Sequence, residues 1–266
     1  AILKRQAAVE EIYSDIVLMD TLKGQLNGVY DLERLMTRIV YGSANARELR
    51  SLCFTISKLP EIKDVLSCAK SKLLVEINNN IDSLIDIETL IDAAIVEEPP
   101  ISVKEGSIIK HGYDSEIDLL RGDMSSGRDI MAEMERKEKE KTGIPKLKIG
   151  YNRVFGYFIE VSNSFKNKVP ADYIRKQTLS NCERYITMEL KEIEGRVLGA
   201  KDRAVQLEYE LFCEIRKKVA DNLNRIQKTA KAIAKLDVLL SFAITSYENR
   251  YIKPIVNNTD KIVLKD

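Results

Sequence analysis

The chain has 266 residues, 44% of them hydrophobic, with 42 Lys and Arg against 41 Asp and Glu. That is enough apolar material for a substantial core, in one large domain or two. No run approaches the ~20 apolar residues that span a bilayer, and the charged, amphipathic start AILKRQAAVEEIY is no signal peptide, so a soluble protein without membrane association is expected.

From Ala1 to Ile95 apolar residues recur at helical spacing, with Ile12, Ile16, Met19 and Leu22 on one stripe and Leu32, Leu35, Met36 and Ile39 on another. Breaks at Gly24 to Gly28, Tyr41-Gly42-Ser43 and Leu59-Pro60 divide the run into several packed antiparallel helices. Glu97-Glu98-Pro99-Pro100 ends it, because proline disfavours helix at and before its own position. An irregular section follows to about Tyr113.

A seven-residue period then sets in twice. Ile117, Leu120, Met124, Gly127, Met131 and Met134 are separated by 3, 4, 3, 4 and 3; Leu190, Ile193, Val197, Ala200, Ala204, Leu207 and Leu211 repeat the rhythm. Two such segments predict an antiparallel coiled coil, in which a helix over Ser115 to Thr142 would reach roughly 42 Å. Facing residues should have numbers summing to roughly 328, which sets Gly127 against Ala200, Met124 against Ala204 and Met131 against Val197. Gly127 marks either a close approach of small residues or a kink.

Between the two segments, at about 143–187, the pattern turns β-like. In KIGYNRVFGYFIEVSNS, Leu147, Ile149 and Tyr151 alternate before Asn152-Arg153, and Phe155, Tyr157, Ile159 and Val161 alternate after it. This predicts a hairpin, with Asn152 suited to positive φ. A second pair, around Tyr173 to Thr178 and Glu183 to Ile186, would turn through Leu179-Ser180-Asn181, so that both turns end the arm. The aromatics Tyr151, Phe155 and Tyr157 serve the small core or stack on bases, and packing is the favoured use. The tip carries eight basic and three acidic residues, whereas Ala1 to Asp114 carries 13 basic and 18 acidic ones. On charge alone this is either an electrostatic footprint for a polyanion or a solubilising surface. After the arm, Leu223 to Tyr251 is again helical and Asn249 to Asp266 reads as a polar, strand-like tail.

Cys53, Cys68, Cys182 and Cys213 are widely spaced without a C-x-x-C, and only His111 could join them, so reduced thiols of a cytoplasmic protein are expected rather than a zinc site. An independent enzyme is disfavoured: His111 reads as a surface or turn histidine, and no spacing singles out a carboxylate pair.

GYNRVFGYFIEV and VPADYIRKQTLSNCERYITMELKEIE, with the preceding ERKEKEKTGIPKLKIGYN and the later IAKLDVLLSFA, resemble the MutS family of DNA mismatch-repair proteins over essentially the whole chain. The resemblance implies a mostly α fold: a discontinuous helical lever domain (1–114 and 224–266) with an inserted coiled-coil clamp arm (115–223) ending in the β-rich tip. It implies a fragment whose full-length parent is a homodimeric, DNA-dependent ATPase using ATP and Mg²⁺. The fragment itself should need no cofactor, since G-x-x-x-x-G-K-[ST] is absent. Phe158-Ile159-Glu160 repeats the family's mismatch-reading Phe-x-Glu, but inside a clamp strand, and is read as coincidence. The implied function is clamping of the duplex DNA backbone and coupling of that contact to the ATPase. Clamp residues that touch the backbone correspond to Asn152 and Asn181, with Ser180 where relatives often carry lysine. The residues themselves add Arg153, Lys148, Lys176 and Arg184. The alternative is a helical coiled-coil scaffold for protein partners, without DNA binding.

Overall fold

Short helices, three of them (α2, α3 and α4) with side-chain caps, build the first part of the chain: α1 (Ile2–Ser14), α2 (Ile16–Leu26), α3 (Leu32–Val40), α4 (Ala46–Ser57), α5 (Leu59–Leu66), α6 (Lys72–Asn80) and α7 (Ile85–Ala94). The computed structural model describes residues 1–152, 154–258 and 262–264, the side chain of Arg128 apart. Its chain divides into two units, Ala1–Val103 with Leu211–Asp266, and Lys104–Glu210. The sequence reading had set these boundaries at 114 and 223.

In the first unit the caps explain where helices stop. Asp15 splits the stripe that ran from Ile12 to Leu22, because its carboxylate accepts the Leu18 N–H at 3.0 Å and starts a new helix. Ile16, expected on the buried stripe, is exposed, whereas Ile12, Met19 and Leu22 are buried. Asp31 caps α3, Asn45 and Glu48 form a reciprocal capping box on α4, and Pro60 sits in the first turn of α5. The long α10 (Leu223–Glu248) buries Ile226, Ile233, Leu236, Leu239, Leu240 and Ala243, packing against α1, α2, α3 and α6. Arg225 fastens it by ion pairs to Asp82 at 2.8 Å and Asp86 at 2.7 Å. The tail expected to be strand-like is irregular from Tyr251 to Asn258: Ile252 and Ile255 stand almost fully exposed, with no partner strand among the described residues.

The second unit holds α8 (Ser115–Thr142) and most of α9 (Met188–Ala220). Asp114 caps the start of α8 through the Ile117 N–H at 3.0 Å, and Gly143, at φ 62°, ends it in the left-handed conformation. The helices are antiparallel, as expected, with one difference in register. A Cβ on Gly127 would lie 2.2 Å from Val197 Cγ2, so Val197 occupies the notch that Ala200 was expected to face, about one turn nearer the tip. Gly127 is a hole for a knob, not a meeting of two small residues.

The four strands β1 (Lys148–Asn152), β2 (Gly156–Ser162), β3 (Ile174–Thr178) and β4 (Cys182–Ile186) form one antiparallel sheet in the order β1-β2-β4-β3. Its inner face meets the helix ends: Ile159, Val161, Tyr173 and Tyr185 pack with Met131, Met134, Leu190 and Ile193.

Candidate nucleic-acid interface

Alternation along the strands sorts the tip into two faces. Opposite the Tyr157, Ile159 and Val161 side, the outer face carries Lys148 and Asn152 of β1, Phe158 and Glu160 of β2, and Cys182 and Arg184 of β4, as the pairings Lys148↔Glu160, Gly150↔Phe158 and Glu160↔Arg184 require. Phe158 packs against Gly150, where an added Cβ would come within 2.8 Å of the ring. The Arg184 guanidinium lies over the ring, 4.2 Å from its centre. The residue is buried, so the Phe-x-Glu triplet does not present it to a base.

The register also separates the two turns. β2 runs from Gly156, beside the first turn, to Ser162, beside the second, and six steps at ~3.3 Å put the turns about 20 Å apart at opposite ends of the sheet. The expectation that both turns end the arm is thereby corrected. Helix contacts orient the sheet. The Ile149 N–H donates to Glu135 of α8 at 2.8 Å, and the Tyr157 N–H donates to Glu194 of α9 at 3.2 Å. β1 therefore runs back along α8 and the first turn faces the arm's middle, while the second turn lies at the outer end.

In the first turn Asn152 Oδ1 accepts the Val154 N–H at 2.8 Å. Asn152 does not adopt positive φ; that conformation falls to Gly156, at φ 75°. An added Cβ there would overlap Glu194 Oε1, so glycine is required twice over. Arg153 lies outside the described residues. In the second turn the Leu179 N–H closes on the Cys182 carbonyl at 2.8 Å. Asn163 locks this turn from the side: its N–H donates to the Asn181 carbonyl at 3.1 Å and its side-chain amide to the Ser180 carbonyl at 2.9 Å. With their carbonyls held, Ser180 and Asn181 leave their side chains exposed.

Charge on the tip is less available than the count suggests. Arg184 donates to Glu160 at 3.1 Å and to Gln177 at 3.0 Å. Lys166, at 2.7 Å, and Arg175, at 3.4 Å, both pair with Glu183. Lys166, together with the Tyr185 hydroxyl, holds that buried carboxyl below its usual range, and burial and Glu183 push Tyr185 up to about 12. Lys146, Lys148, Lys168 and Lys176 are exposed and form no ion pair among the described residues. Lys146 and Lys148 lie at the beginning of β1 and Lys168 ends the 3-10 helix Asn163–Lys168 that follows β2, so these three share the outer end with Ser180 and Asn181; Lys176 sits in the bulge of β3. Asn152 is at the other end.

Sequence reasoning missed Asn163, whose role rests on a contact to a turn 17 residues away, and passed over Lys146 and Lys168. It also missed the buried carboxylates Glu138, Glu183, Glu194 and Glu208. His111, exposed, stands 3.7 Å from Asp118 and joins no cluster. No group of three or more metal-ligating side chains occurs among the described residues.

A family model described as MutS domain III matches residues 1–243. The DNA mismatch repair protein MutS of Acetivibrio thermocellus is 49% identical over 262 residues, covering 98% of this chain and 30% of that protein. The protein of the same description from Lachnoclostridium phytofermentans is also 49% identical over 262 residues, covering 98% of this chain and 28% of its own length. That from Halothermothrix orenii is 49% identical over 254 residues, or 96% and 28%. The chain thus spans about 30% of the length of such relatives.

Proposed function

This chain belongs to the MutS family, and we propose from this that its β-tip clamps the sugar–phosphate backbone of duplex DNA without reading sequence. One observation carries the reading: a backbone-anchored turn, Ser180-Asn181, lies at the same end of the sheet as Lys146, Lys148 and Lys168, three exposed lysines without a salt bridge among the described residues, Lys168 resting over the Phe165 ring at 5.9 Å. Small hydroxyl and amide groups beside cations hydrogen-bond to phosphate oxygens and carry no base-specific pattern. Asn152 forms a second candidate contact about 20 Å away along β2, and the charge of Arg153, its neighbour in sequence, is proposed to serve the same contact. Lys176 adds a cation on β3, and Arg184 contributes chiefly by holding Glu160, Gln177 and Phe158 together.

In a full-length parent, two such tips in a homodimer would close around one duplex. The long helices α8 and α9 would transmit that contact toward an ATPase domain, where ATP and Mg²⁺ belong.

The test is a titration of fluorescent duplex DNA with the purified chain at several salt concentrations. Affinity should fall steeply with salt through counterion release, equally for matched and mismatched duplexes. Lys168→Ala or Lys176→Ala should each lower the log–log salt slope by about one or less. Arg184→Ala should instead loosen the sheet. Salt-independent affinity, a clear preference for mismatched duplex, or no binding at low salt would overturn the reading. The last outcome, with a protein partner retained, is what the scaffold alternative requires.

A further inference from the structure

Among the described residues the coiled-coil arm is stitched at both ends and unlinked in the middle. Toward its base, Arg203 pairs with Glu116 at 3.1 Å and Arg121 with Glu208 at 2.8 Å. Toward the tip, Glu135 and Glu194 hold strand N–H groups, and Glu138 accepts the Tyr173 hydroxyl at 2.5 Å. Between these anchors no hydrogen bond or ion pair joins α8 to α9 among the described residues.

All the interior glycines of both arm helices fall in this bare stretch: Gly122 and Gly127 in α8, Gly195 and Gly199 in α9. The Gly127–Val197 packing sets 122–129 level with 195–202, so the four fall within one stretch of about two helical turns, roughly 10 Å long. Gly127 has a steric reason. The other three have none: an added Cβ at Gly122, Gly195 or Gly199 meets nothing within 4 Å, and none has positive φ. Glycine in a helix interior lowers local helix stability, and adjacent Gly and Ser residues, here Ser125-Ser126-Gly127, are common sites of helix bending. An open cleft of about 460 Å³, lined by Ser126, Gly127, Val197, Gly199 and Ala200 among others, lies at the same height.

We infer that this stretch is a hinge. Residues 122–129 and 195–202 open and bend as a unit, allowing the β-tip to swing against the arm's base while both ends stay rigid. Three glycines that packing does not need loosen the arm there, where alanine would stiffen it. The inference is independent of what the tip binds.

Amide hydrogen exchange of the whole chain, without DNA, tests it. Amides of 122–129 and 195–202 should exchange at least about tenfold faster than those of 131–141 and 204–210. The triple variant Gly122→Ala, Gly195→Ala, Gly199→Ala, for which space is free, should slow exchange in the window by about fivefold or more and leave the flanks unchanged. Uniform protection along the native arm, or a window whose exchange the triple variant does not alter, would overturn the hinge. Either result leaves the DNA titration unaffected, so the two proposals fail separately.

Discussion

The helical base and the coiled-coil arm solve the same problem with different materials. Among the described residues the base buries only Thr55 and Thr229 of the polar kind, each within a hydrogen bond, and otherwise closes on apolar side chains, chiefly Leu, Ile and Ala. The arm and tip bury four glutamates: Glu138, Glu183, Glu194 and Glu208. A bundle of many short helices has enough facing surface to make an apolar core. Two helices and a four-stranded sheet do not. They use carboxylates as bolts, each aimed at a donor that thin packing would leave unsatisfied: the Ile108 N–H for Glu208, the Tyr157 N–H for Glu194, the Tyr173 hydroxyl for Glu138, and Tyr185 with two cations for Glu183. Volume holds one region together; directed hydrogen bonds hold the other.

The largest effects should come from striking each material in turn. Phe212, wholly buried in the base, should cost about 3–5 kcal/mol as Phe212→Ala, and Phe212→Leu should recover much of it, because refilling volume repairs a cavity. Glu208→Ala should cost about 3 kcal/mol by leaving the buried Ile108 N–H without its acceptor and Arg121 without its carboxylate partner, the Ile109 carbonyl remaining to it. Glu208→Leu should recover almost none of that, since volume cannot accept a hydrogen bond. Urea unfolding of the four variants decides the matter, and a Glu208→Leu protein as stable as the parent would erase the distinction. Next in size, Gly127→Ala should destabilise the arm by about 1–3 kcal/mol through the clash with Val197. Adding Val197→Ala should relieve part of the loss, whereas Ala200→Gly should not; rescue by Ala200→Gly instead would restore the register read from sequence.

The smallest effect is on pH dependence. Arg225 holds Asp82 and Asp86 below the usual carboxylate range, and Lys166 does the same for Glu183. Burial pushes Glu135 up, but Lys139 and the Ile149 N–H outweigh it. These folded-state values lie below the unfolded ones, so acid protonates the unfolded chain first. The stabilisation is complete above about pH 5 and is lost as pH falls through the depressed values. Because an unfolded glutamate takes up its proton at higher pH than an unfolded aspartate, strand amides near Glu183 should begin to lose exchange protection at higher pH than those of α10 near Asp82 and Asp86. Simultaneous loss in both would show that the carboxylates matter alike in the two regions.

What was legible in the sequence followed the same division. Apolar periodicity marked the helices of the base, and α8 could be read to its ends because Asp114 and Gly143 are a cap and a stop. The hairpin strands were visible in their alternation. The bolts were not: a glutamate at the edge of a heptad stripe has the same sequence signature whether it meets water or a strand N–H. Nor could alternation reveal the strand order β1-β2-β4-β3, and that order alone puts the Ser180-Asn181 turn and the Asn152 turn at opposite ends. Gly127 was recognisable as a close approach, but its partner depended on a one-turn shift that a seven-residue repeat tolerates.

The position of α10 has a consequence for synthesis on the ribosome. This helix packs against α1, α2, α3 and α6 and supplies a whole face of the base, yet roughly 130 residues separate the end of α7 from its start. At the usual 5–20 residues per second, α1 to α7 wait on the order of ten seconds with that face exposed while the arm is made. The nascent base is therefore a natural client for a chaperone that shields apolar helix faces, and a translational pause within the arm would lengthen its exposure.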